Sequence, residues 1–343
     1  MSITLKDIAE KAGVSVSTVS RVINKQKKSA SIDTKNKIWK IADELGYKQK
    51  NIDSLSTKTE KKIGYLLLCP RPNMLNVFDD PYFSVIIKGI EKEIKNQNYS
   101  LEFSYTEEDL KNEDIYHKLV YETNIDGIII IDDYLDTQLY NDIKSHYKHI
   151  VLINNRNNKL QENSIKIDRE KITYQAIKYL INLNHKKIGF IGGKIRNCSL
   201  KKQERFKGYL RALDEAGINH NKNHIKVSNW EIENGFNNMK NILDDKDIPS
   251  AIFCASDLIA IGAMHAIRGE GLNIPDDISI VSYDDIKVST YLDPPLTTIH
   301  APKMKLGEIA VNVLDMVIRN KIDIPLNISL SASLVKRESV KKV

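Results

Sequence analysis

The chain has little cysteine: three in 343 residues, Cys69, Cys198 and Cys254, far apart and odd in number. That pattern excludes a disulfide framework and a paired-cysteine metal site. Cys69 and Cys254 lie inside apolar runs and read as buried thiols. No apolar run approaches the roughly 20 residues needed to span a bilayer. The opening MSITLKDIAE also lacks the apolar core of a signal peptide, so a cytoplasmic protein with no membrane partner is expected. Motifs of hydrolytic or phosphoryl-transfer chemistry are missing too. There is no His-Glu-x-x-His, no Gly-x-Ser-x-Gly, and no glycine-rich loop closing on Gly-Lys-Ser/Thr. The nearest candidate, Ile191-Gly-Gly-Lys194, is too short and reads as a tight strand-to-helix turn. No catalytic residue, metal or cofactor is expected.

What is present is unevenly distributed. The net charge is +6, but residues 1–62 hold 14 Lys or Arg against 7 Asp or Glu, while the remainder is close to neutral. The positive end can attract a polyanion; a solvated basic tail is the alternative on charge alone. The length exceeds one ordinary core, so two or three domains are expected.

The first 48 residues carry helix signals. Thr4 and Asp7 form a capping box, Leu5, Ile8, Ala9 and Ala12 share one helical face, and Gly13 suits a left-handed end. Ser15 is placed to cap a second helix from Val16 to about Asn24. There Val19, Val22 and Ile23 face inward and Val16, Ser17, Ser20 and Arg21 face out. A third helix is expected from Ser31 or Asp33 to Leu45, with Ile38, Ile41, Ala42 and Leu45 inside. Two short helices around a tight turn, braced by a third, make an all-α helix-turn-helix unit.

From Ile3 to Asn24, and above all in Ala12-Gly-Val-Ser-x-x-Thr-Val-Ser-Arg-Val22, the chain resembles the headpiece of the lac repressor/galactose repressor (LacI/GalR) family. The resemblance implies binding to double-stranded operator DNA, with the start of the second helix in the major groove. Val16, Ser17 and Arg21 would then meet base edges: Arg21 can donate two bonds to a guanine, Ser17 can bond either partner, and Val16 can touch a thymine methyl. Thr4, Ser15, Thr18, Ser20 and Asn24 would hold phosphates. The family continues into a hinge helix that inserts a leucine in the minor groove. Here residues 49–61 depart from that pattern, without its proline or Ala-Arg, and Leu55 is the candidate wedge. Residues 54–62 read as a linker that is disordered without DNA.

From residue 62 to 343, short apolar runs alternate with amphipathic helices. Strands are expected at 63–68, 100–103, 127–131, 150–153, 187–191, 225–227, 251–254 and 278–282, and helices at 82–96, 171–183, 203–216, 235–243, 257–269 and 304–318. This pattern means α/β layers with right-handed crossovers. Two such sets imply two doubly wound parallel sheets, one per lobe, with a ligand cleft at the strand carboxyl ends. The lobes are expected at 62–160 with 296–322, and at 161–295 with 323–343.

This region resembles the two-lobed, periplasmic-binding-protein-like core of the same family, through Asp80-Pro-Tyr-Phe83, Asn184-His-Lys-Lys-Ile-Gly-Phe-Ile-Gly-Gly193, Arg205-Phe-Lys-Gly-Tyr209, Ala255-Ser-Asp-Leu-Ile-Ala-Ile-Gly262 and Tyr283-Asp-Asp285. The resemblance assigns effector binding to Tyr82, Phe83, Asn154, Arg205, Trp230, Ser256 and Asp284. An arginine fork, an acid and aromatic faces together suit a small carbohydrate, with galactoside-type compounds the nearest comparison. Duller roles exist: Asp257 and Asp285 can cap helices, and Tyr82 can be core. The expected protein is a homodimeric repressor on a near-palindromic operator, whose effector lowers DNA affinity. A regulator strengthened by its ligand, or a solute-binding module with a vestigial headpiece, are the alternatives.

Overall fold

The computed structural model describes residues 3–23, 30–45, 47, 61–68, 80–132, 135–157, 160–195 and 198–343. Asn24, Leu55, Cys69 and nearly all of the 49–61 linker lie outside the described residues.

The amino-terminal unit is three helices, α1 (Leu5–Ala12), α2 (Val16–Ile23) and α3 (Ile32–Glu44). Both halves of the α1 capping box form: the Thr4 amide donates to the Asp7 carboxylate at 2.7 Å, and the Asp7 amide donates to the Thr4 hydroxyl at 3.4 Å. Gly13 then takes φ 69°, where a side chain would be strained. The turn returns α2 across α1, burying Ile8, Ala9, Ala12, Val19, Val22 and Ile23 with Ile38, Ile41 and Ala42 of α3. Leu45 is only half-buried, just beyond the end of α3.

The remainder is two six-stranded sheets. In chain order its elements are β1 (Lys62–Leu67), α4 (Phe83–Asn96), β2 (Ser100–Thr106), α5 (Glu113–His117), β3 (Gly127–Ile131), α6 (Thr137–His146), β4 (Ile150–Ile153) and β5 (Asn163–Ile167). They continue with α7 (Arg169–Asn182), β6 (Ile188–Gly193), α8 (Glu204–Glu215), β7 (Ile225–Ser228), α9 (Ile232–Leu243), β8 (Ala251–Cys254) and α10 (Asp257–Gly269). The last are β9 (Ser279–Asp284), β10 (Thr297–His300), α11 (Lys303–Ile318), β11 (Asn327–Leu330) and β12 (Ser333–Val335). The first sheet runs β11-β5-β4-β3-β1-β2 and the second β12-β10-β9-β8-β6-β7. Central strands are buried on both faces, which is why β3 reads Gly-Ile-Ile-Ile-Ile without alternation.

The expected lobe boundaries need correction. β5 pairs with β4 and β11 with β5, so residues 163–167 and 327–330 belong to the first lobe. β10 pairs with β9, so residues 297–300 belong to the second. These short segments sit beside the crossovers, and strand pairing, not chain order, decides their lobe. The second sheet is also not wholly parallel, because β12 runs antiparallel to β10.

Glycine sets how closely helices approach within each lobe. A Cβ on Gly89 of α4 would lie 2.2 Å from the Met304 carbonyl oxygen of α11, and one on Gly307 would meet that of Ile86 at the same distance. Gly235 and Gly262 play the same part between α9 and α10.

Candidate functional site

Two surfaces concentrate polar chemistry. On the headpiece, Ser15 precedes α2 and its hydroxyl accepts the Thr18 amide at 3.1 Å, while also lying 2.8 Å from the hydroxyls of Ser17 and Thr18. Val16, Ser17 and Arg21 are exposed, opposite the buried Val19, Val22 and Ile23. A valine that is 44 % exposed at the start of a helix is apolar surface available to a partner. The Arg21 Nε donates to the Ser17 carbonyl at 3.2 Å, which aligns the side chain along the helix. Thr4 is exposed, while Thr18 and Ser20 are half-buried.

The second surface lies where the strand ends of the two lobes converge. Asp80 accepts the amides of Tyr82 and Phe83 at 2.7 and 3.2 Å, fixing the start of α4. Tyr82 and Phe83 meet edge to face, with centroids 5.3 Å apart. The Tyr82 hydroxyl accepts from Asn154 at 3.2 Å and from Arg169 at 3.3 Å. Asn154, just past β4, holds φ 66°, a left-handed conformation that asparagine tolerates better than most residues.

From the second lobe, Arg205 enters on the first turn of α8. Its guanidinium lies 4.1 Å from the Tyr283 ring centroid and 5.4 Å from that of Trp230. Trp230 is itself anchored, with its indole N–H donating to the Lys194 carbonyl at 2.8 Å. Asp284 approaches Arg205 only to 3.9 Å, an ion pair without a close hydrogen bond. Burial pushes the Arg205 pKa below its ordinary value, and the nearby Arg169 adds to that. Burial likewise raises that of the Tyr283 phenol, against the attraction of the two arginines. Asp284 holds φ 120°, a strained backbone at the site. Three polar atoms here are buried with no partner among the described residues: the Arg205 Nε, the Asn154 Oδ1 and the Tyr283 hydroxyl.

Six of the seven expected effector residues therefore fall into two linked clusters: Tyr82, Phe83 and Asn154 on one lobe, and Arg205, Trp230 and Asp284 on the other. Ser256 is the cap of α10, its hydroxyl accepting the Ile259 amide at 3.3 Å. Asp257 is no simple cap. It accepts the Thr298 hydroxyl at 2.6 Å and the Ile286 amide at 2.8 Å, and also bonds Ser282, tying strands together beneath the cleft. Asp285 bonds Arg337 at 2.6 Å and His300 at 2.8 Å. Two members were not foreseen. Arg169 follows a strand that the hydropathy pattern does not reveal. Tyr283 stands in the Tyr283-Asp-Asp285 motif, where the adjacent acids carry the more obvious polar chemistry.

The first 50 residues match the description "Bacterial regulatory proteins, lacI family" over residues 4–50, and residues 177–340 match "Periplasmic binding protein-like domain". Over 98 % of both chains, the sequence is 33 % identical to the HTH-type transcriptional repressor PurR of Pasteurella multocida (strain Pm70). The chain belongs to the LacI family. The PurR repressor of Aliivibrio salmonicida (strain LFI1238) is likewise 33 % identical over 99 % of both chains. Among solved structures, the transcriptional regulator CelR–cellobiose complex superposes with a TM-score of 0.71 at 25 % identity, covering 98 % of this chain and 99 % of that one. The lac repressor dimer bound to operator and the anti-inducer ONPF gives 0.69 at 26 % identity, over 99 % and 100 %. Like its LacI-family relatives, the chain is a ligand-responsive, DNA-binding transcriptional repressor and not an enzyme. Among the described residues no helix is long and apolar enough to cross a membrane.

Proposed function

We propose that this repressor acts in the cytoplasm as a homodimer, one headpiece in each half of a near-palindromic operator. Val16, Ser17 and Arg21 read base edges, Thr4, Ser15, Thr18, Ser20 and Asn24 hold phosphates, and Leu55 wedges the minor groove. A small carbohydrate enters the cleft between the lobes of the 62–343 core and lowers operator affinity. The observation that carries the ligand half is the trio of unpartnered buried atoms on Arg205, Asn154 and Tyr283. Buried polar groups are ordinarily satisfied, and a bound molecule offering hydroxyls would satisfy these from both lobes at once. The aromatic faces of Tyr82, Trp230 and Tyr283 suit the C–H face of a sugar ring, and the related CelR structure is described as a cellobiose complex.

The same faces favour a second reading. Flat rings and guanidinium planes also take a planar nitrogen heterocycle, whose alternating donors and acceptors match the Arg205 donor and the Asn154 acceptor. On that reading the ligand strengthens DNA binding. Linkage makes the distinction measurable, since a ligand shifts operator affinity only by its preference between the two states. Anisotropy titrations of a promoter fragment with sugars and with nucleobases decide it. Weaker binding with a sugar supports the first reading, and tighter binding with a heterocycle supports the second. No response to either class refutes both.

A further inference from the structure

We infer that Arg156 and Glu204 form a positioning pair that sets the separation of the two lobes and thereby places Arg205 across from Tyr82. The proposal deepens the regulatory reading of the cleft and rests on it for its consequence.

Arg156 lies in the loop after β4, in the first lobe, and Glu204 is the first residue of α8, in the second. The Arg156 Nη2 lies 2.9 Å from the Glu204 carboxylate, with the two side chains 6 % and 22 % exposed. The same nitrogen donates at 3.1 Å to the carbonyl of Ile167, the last residue of β5, where the chain leaves the first lobe. One guanidinium therefore touches the first sheet, the crossover and the second lobe together. Its partner immediately precedes Arg205, whose guanidinium fills the aromatic bracket of the cleft. Two residues before Arg156, Asn154 bonds Tyr82 on the facing wall.

An ion pair this enclosed is not screened like a surface pair. The cost of drying both charges removes most of its net contribution to folding stability. Its attraction exists only while the lobes hold this separation, so its effect falls on the population of the closed cleft. Other contacts across the lobes lie elsewhere: Arg169 to Tyr82, and Lys303 of α11 to the Asp284 carbonyl. Neither of these involves α8; among the described residues Arg156–Glu204 links closure to the residue beside Arg205, whose guanidinium also feels Tyr82 across the cleft.

Hydrogen exchange by mass spectrometry on the full-length protein, without DNA or ligand, tests this. Segments 80–90 and 200–210 report the two facing walls. Glu204→Gln should speed exchange in both by at least about fivefold, the lower end of ordinary site-to-site coupling. The reversed pair, Arg156→Glu with Glu204→Arg, should recover part of that protection, because the charge attraction returns while the bond to Ile167 does not. Glu204→Asp, which keeps the charge, provides the comparison if the Gln variant does not fold. Unchanged exchange at 80–90 in Glu204→Gln overturns the proposal, because local fraying of α8 does not reach the first lobe. A reversed pair as fast as the single variant overturns it as well. Operator preference is read in a separate titration, so a failure of the DNA-binding assignment stays distinguishable.

Discussion

Replacing Gly193 with alanine adds one methyl group at the end of β6, directly beneath the Trp230 indole. A Cβ built there lies 2.1, 2.2 and 2.5 Å from Cε2, Cδ2 and Nε1, whereas ordinary contact begins at 3.4 Å. The indole must therefore retreat by about 1.3 Å, the difference between 3.4 and 2.1 Å. Such a shift is incompatible with the 2.8 Å bond from the indole N–H to Lys194. Overpacking of this kind costs about 1–3 kcal/mol, and a buried donor left without its acceptor costs about 1–3 kcal/mol more. Part of that is relieved by backbone adjustment at the strand end, so a loss of about 2–4 kcal/mol is expected. For a unit of this size that corresponds to a fall in Tm of about 5–15 °C. Trp230 fluorescence should shift to the red, and any effector response should weaken, because the wall beside Arg205 has moved. Thermal melts followed by tryptophan emission provide the check. A variant melting within about 1 °C of the parent, with unchanged emission, would refute the packing argument.

Arg21→Ala should weaken binding to the cognate operator by about 1–3 kcal/mol while leaving scrambled duplex nearly unaffected; equal losses on both contradict a base-reading role. Arg205→Met should leave operator affinity nearly intact and weaken the effector by about 1.5–3 kcal/mol, the contribution of a charged hydrogen bond. Isothermal titration with the active ligand measures this, and unchanged affinity removes Arg205 from the site. Asp285 is held below the ordinary carboxylate range: burial opposes its ionisation, but bonds from Arg337 and His300 outweigh that. A depressed acid stabilises the fold above its unfolded pKa and loses that contribution as pH falls through its lowered value. Asp285→Asn should therefore melt below the parent at neutral pH, with the gap closing on acidification; a constant gap from pH 7 to pH 3 contradicts this.

The parts of the fold legible in the sequence were those with strong periodicity or punctuation. Every strand expected from an apolar run formed, from Ile63–Leu67 within β1 to β9, because central parallel strands need continuous hydrophobicity. Four strands lacked that signal, the interior β5 and β10 and the marginal β11 and β12, although the other two edge strands, β2 and β7, carried it. β11, Asn-Ile-Ser-Leu, alternates in burial and stands at the sheet margin, and β12 is three residues long. α5 and α6 were also missed, since their short, polar sequences bury only one side chain each. In the cleft, Tyr82, Phe83, Arg205 and Asp284 lie on recognised motifs, whereas Arg169 carries no sequence signal because its place comes from β5 joining the first sheet. At Ser256 one hydroxyl suits both capping and ligand binding: it accepts the Ile259 amide and keeps its own proton free to donate.

The central claim, a base-reading headpiece under the control of a cleft, is tested most directly by fluorescence anisotropy at moderate salt. Purified protein is titrated against its own promoter fragment and against scrambled duplex of equal length, with and without small ligands. The account predicts a preference of about a thousandfold or more for the promoter, shifted by one class of ligand. Equal affinity for the two duplexes under every condition would contradict it.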